Sequence, residues 1–83
     1  MMSAAQNAKE IAHRASRLSI EDSIAIDGTD RFTVGKKNKD SYILRDSTNR
    51  IRARWGNLEQ ITEDIEYVLQ YQTLPPQEKF QGF

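Results

Sequence analysis

The chain has 83 residues, with 12 Lys plus Arg balanced by 12 Asp plus Glu, one His and no Cys. That length fits one small domain and no more. The composition excludes a disulfide scaffold, a cysteine zinc site and a thiol nucleophile. No apolar run approaches the roughly 18–20 residues of a membrane span, and residues 1–10 lack the apolar stretch of a secretory signal. The expectation is a cytoplasmic protein without membrane contact.

Residues 3–18 read as a helix. Ser3 can cap it, and Ala4, Ala8, Ile11, Ala15 and Leu18 recur at helical spacing. The stripe is mostly alanine, so this helix packs closely but buries little. A connection then leads to a first strand at residues 23–26. Asp27-Gly28 and the polar stretches 35–40 and 46–49 are turn signals, and they separate alternating segments at 31–34, 41–45 and 50–55. Ile24 with Ile26, Phe32 with Val34, Tyr42 with Leu44, and Ile51 with Ala53 and Trp55 are expected to share one face.

Gly56 ends the last strand and Asn57 caps a second helix, with Gln60 at the capping-box position. Leu58, Ile61, Ile65, Val68 and Leu69 form an apolar stripe against Glu59, Glu63, Asp64 and Glu66. This helix runs to about Gln72, and Pro75-Pro76 forbids its continuation. The fold class is therefore α+β, one small domain of order α-β(3–4)-α, with an antiparallel meander packed on the C-terminal helix. Residues 1–75 make the domain and 76–83 a mobile tail. So small a core is marginal by itself, which leaves room for a homodimer.

Zero net charge conceals an uneven distribution. Residues 1–30 carry three basic and five acidic groups, 31–55 carry eight basic and two acidic, and 56–83 one basic and five acidic. The meander is basic and both flanks are acidic. With Ile51, Ala53 and Trp55 facing the core, Arg50, Arg52 and Arg54 point to the opposite face, joined by Arg45. Lys36 and Lys37 extend the positive region into the loop at 35–40. These six residues are the first candidate surface, since arginine forks bind phosphates and carboxylates in a planar, bidentate way. The acidic face of Glu59, Glu63, Asp64 and Glu66 is the alternative, presented to a basic partner.

Catalytic and cofactor chemistry finds little support. His13 lies off the apolar stripe of its helix and reads as a surface residue. Asp27-Gly28-Thr29-Asp30 fails the calcium-loop spacing, because Val34 stands where the ligand Glu is required. Gly28 and Gly35 are too far apart for a phosphate loop, and Lys37 occupies its Ser/Thr position. Trp55, Tyr42 and Phe32 are expected in the core. No cofactor, no metal and no enzyme activity is expected.

The α-β-β-β-α order resembles the double-stranded RNA-binding domain in topology. That family begins its second helix with a lysine cluster, and here the turn is Asn57-Leu58-Glu59-Gln60, followed by Glu63 and Asp64. Compact, cysteine-free α+β chains of this length are common among accessory and inhibitor proteins of phages and mobile elements. The expected function is a non-catalytic binding or regulatory module that contacts a protein through charged surfaces. Nucleic-acid binding by an arginine-rich sheet face is the alternative.

Overall fold

The structure is a computed structural model that describes residues 3–26, 31–48 and 53–76. Its order is α1 (Ala4–Ser16), β1 (Ser23–Ala25), β2 (Phe32–Asn38), β3 (Ser41–Asp46), β4 (Ala53–Gly56) and α2 (Leu58–Tyr71). The four strands form one antiparallel meander in the order β1-β2-β3-β4. Both helices lie on one face of this sheet and pack against each other, α1 over β2 and α2 over β3 and β4. The expected α+β fold is what the chain adopts. No helix among the described residues is long and apolar enough to cross a membrane.

Both helices begin with a full capping box. Ser3 Oγ accepts from the Gln6 amide while the Gln6 side chain accepts from the Ser3 amide; Asn57 and Gln60 repeat the arrangement at α2. Each box satisfies two amides that a helix start leaves without partners. The α1 C-terminus is closed from outside, by Lys36 Nζ donating to the Ser16 carbonyl at 2.9 Å. A cation there also suits the helix dipole.

The core lies between the helices and one sheet face. Ala8, Ile11, Ala12 and Ala15 of α1 meet Ile61, Ile65 and Val68 of α2, over Ile26, Phe32, Val34, Tyr42 and Leu44. Four buried residues of α1 fall on the alanine stripe or beside it, and small side chains let the two helices approach closely. Leu74, two residues past the α2 C-cap at Gln72, is buried in this core.

Two expectations about the strands need correction. The stretch 35–40 is not a loop, because β2 continues through Gly35, Lys36 and Lys37 to Asn38. The turn is confined to Lys39 and Asp40, where Asn38 Oδ1 accepts from the Asp40 amide. A register shift between Lys36 and Asn38 absorbs Lys37 as an extra residue. The second correction concerns β4. Leu44, fully buried on the helix face, is registered with Arg54, and Ile43 is registered with Trp55. Alternation on β4 is therefore opposite to the sequence reading: Arg54 faces the helices and Trp55 faces away. The turn expected at Asp27-Gly28 lies outside the described residues, as does the tail from 77 onward.

Gly56 sits where strand meets helix, and a side chain there has no room. A Cβ at this position would lie 2.8 Å from both Cβ and Oε1 of Gln60, the residue whose side chain caps α2. Gly56→Ala is expected to cost about 1–3 kcal/mol, through this overlap and the displaced cap. Urea unfolding should show a lower midpoint with an unchanged slope.

Candidate binding surface

Four of the six described basic residues of the meander, Arg31, Lys36, Lys37 and Arg54, are already engaged. Arg54 Nε and Nη2 donate to the two carboxylate oxygens of Asp64 at 3.2 and 3.4 Å. Asp64 is buried on α2, so this ion pair ties β4 to the helix over it. Members of the two rival candidate surfaces thus neutralise each other inside the molecule. Lys36 is spent on the α1 terminus, and Lys37 reaches Glu21 at 3.3 Å. Arg50 and Arg52 lie outside the described residues. Of the acidic face, Glu59 and Glu63 are exposed and Glu66 is half-buried, while Asp64 is turned inward.

A second ion pair closes the far end of the sheet. Asp46, at the end of β3, accepts from Arg31 Nε and Nη2, both at 3.3 Å, and from the Thr48 amide and hydroxyl. The Arg31 guanidinium also lies 4.8 Å from the centre of the Phe32 ring. Burial pushes the Asp46 carboxyl up, but the Arg31 and Thr48 hydrogen bonds and the Arg31 charge outweigh it and hold it below its usual 3.8. A lowered value in the folded state means that the carboxylate stabilises the fold above the unfolded value. That contribution is lost as pH falls below about 3.8 and through the lowered folded value. Asp46→Asn should flatten the acid limb of a stability–pH curve below that point. At neutral pH it should cost about 1–3 kcal/mol, from the lost charge-assisted bonds.

Among the described residues, no helix covers the other face of the sheet. The register builds it as two rows: Ser23, Gly35, Ile43 and Trp55 in one, Ala25, Thr33, Arg45 and Ala53 in the other. Trp55 is 60% exposed. Ile43, its cross-strand neighbour, is only 4% exposed although no helix covers it. A hollow of about 170 Å³ opens on this face over Gly35, lined by Ser23, Thr33, Ile43 and Arg45, with Glu21, Asp22, Lys36 and Lys37 around it. Arg45 is exposed and has no ion-pair partner among the described residues.

Arg45 is thus the one sequence candidate on the described part of this face that is both exposed and unpaired. Trp55 was missed as a surface residue because an Ile-x-Ala-x-Trp alternation reads as a core face. Asp64 did carry a signal, since it stands three residues after Ile61 and four before Val68, at the spacing of the buried stripe. The described residues contain no group of three or more His, Cys, Asp and Glu placed to hold a metal ion. No family model, curated protein or solved structure matches the chain.

Proposed function

We propose that the protein is a non-catalytic binding module that docks on a protein partner through the uncovered face of its sheet. The observation that carries this reading is Trp55, a large aromatic side chain left 60% exposed on a sheet face that no helix covers. Trp and Arg are the residue types most often responsible for binding energy at protein interfaces. Here Trp55 and Arg45 lie on one rigid face, two strand positions apart diagonally. Ile43, registered with Trp55, and Ala53, registered with Arg45, add apolar surface beside them. A regulatory or inhibitory role suits such a module, which would act by occupying a partner's surface.

Trp55 beside Arg45 also suits a nucleic-acid base stacked next to a phosphate, and this is the second reading. Charge places it second. Polyanion binding needs several free cations; among the described residues Lys36, Lys37 and Arg54 are engaged within the molecule, which leaves Arg45 and Lys39, and Glu21 and Asp22 border the hollow.

Trp55→Ala and Arg45→Ala test the proposal. Both side chains are exposed, so thermal unfolding should move by no more than about 0.5 kcal/mol. A protein captured from source cells by the wild type should be lost with both variants. Capture that survives them, but fails when Glu59, Glu63 and Glu66 are neutralised, would move the site to the acidic face of α2. Binding to oligonucleotides that weakens steeply with salt would favour the second reading.

A further inference from the structure

We infer that the hollow over Gly35 is a subsite for a carboxylate, taking a Glu or Asp side chain of the partner that docks on the sheet face. The inference rests on the binding reading above and adds the chemistry of what is bound.

Three donors converge there. The Arg45 guanidinium has no ion-pair partner among the described residues, Thr33 is its cross-strand neighbour on β2, and Ser23 on β1 is registered with Gly35. Neither hydroxyl has a hydrogen-bond partner among the described residues. Neither is a sealed, unsatisfied polar atom, since no such atom occurs among the described residues. Both are therefore open to solvent or ligand. The lining carries three cations, Arg45, Lys36 and Lys37, against the carboxylates of Glu21 and Asp22, so one net positive charge is left for a ligand.

Gly35 makes the space. A Cβ there would stand 3.3 Å from Ser23 Cβ and the Asp22 carbonyl and 3.7 Å from Ile43 Cγ2, filling the floor. One guanidinium flanked by hydroxyls matches a single planar carboxylate, which it can hold through two parallel bonds. A phosphate chain brings more negative charge than this wall can offset with Glu21 and Asp22 on its border, whereas a single carboxylate brings one. Trp55, beside Ile43, would pack on the apolar residue next to the bound acid. The ligand class is thus an acidic side chain adjoining an apolar one.

The test uses the full chain, ¹⁵N-labelled, titrated separately at low salt with acetate, inorganic phosphate, a blocked peptide containing one Glu beside a Leu, and oligothymidylate. Acetate and the Glu peptide should shift the Arg45 Nε–H and the Gly35 and Thr33 amides along saturable curves. Arg45→Ala should weaken that binding by roughly tenfold or more, the worth of a charge-assisted hydrogen bond. Arg45→Lys should recover it only in part, because the fork is lost. Acetate shifts that persist in Trp55→Ala, alongside partner capture that does not depend on Trp55, would keep the subsite and overturn the docking reading. No saturable shift at these groups, or equal shifts in Arg45→Ala, would overturn the subsite. Saturation by phosphate and oligothymidylate but not by acetate would overturn the carboxylate assignment in favour of a nucleic-acid backbone.

Discussion

Replacing Asp64 with alanine is expected to destabilise the domain by about 2–4 kcal/mol, more than any substitution of an exposed charge. The carboxylate is buried, and both of its oxygens accept from Arg54. Its removal leaves a guanidinium facing α2 with only the Pro76 carbonyl, at 3.5 Å, to receive it. The Arg54 side chain keeps 28% of its exposure, so water relieves part of the cost and the upper figure is a ceiling. Arg54→Ser should be destabilising in the same sense. It is therefore unsuited to test binding alone, although the sequence reading grouped it with Arg50 and Arg52 as a surface arginine. The pair Arg54→Met with Asp64→Leu should recover most of the loss, because apolar replacement of both partners removes the stranded charge. Urea midpoints for the single and double variants give the coupling directly.

Phe32→Ala is expected to cost about 3–5 kcal/mol. Phe32 heads the fully buried side chains and lies on the helix face of β2, opposite Asp46. Its ring also supports the Arg31 guanidinium that pairs with Asp46. Losing the ring removes core volume and loosens the ion pair together. A chain of this size has a total stability of roughly 4–12 kcal/mol at 0.05–0.15 per residue, so the loss is a large fraction of the total and the melting temperature should fall by about 12–40 °C. Phe32→Leu, which keeps most of the volume, should lose about 1.5 kcal/mol or less. Circular dichroism melts of the two variants check both values.

The fold was legible because its signals are local. Capping residues at Ser3 and Asn57, the stripe from Ile61 to Val68, and alternation through Phe32, Val34, Tyr42 and Leu44 each point to one structure. The faces of β4 were not legible. Alternation says which side chains share a face, but not which face is buried. Hydrophobicity favoured Trp55 for the core, whereas Arg54 finds its carboxylate on a helix ten residues further along. Nothing local to residues 53–56 announces that pairing. The length of β2 was concealed in a similar way. Gly35-Lys36-Lys37 has the composition of a turn, but the strand pairs on through Lys36, whose ammonium reaches the end of α1, a tertiary contact that nothing in the local sequence announces. The proposed binding surface rests on these two placements, so the sequence could name Arg45 without showing its surroundings.

The direction in which β4 faces decides what the open side of the sheet presents, and Trp55 reports on this alone because it is the only tryptophan in the chain. The decisive measurement is its fluorescence in native protein and in guanidinium, with acrylamide quenching in both. An exposed Trp55 should emit at nearly the same wavelength in the two states and be quenched almost as readily when folded. A blue-shifted, quench-resistant emission that moves to the red on unfolding would put Trp55 in the core, Arg54 outside, and the open sheet face without its anchor.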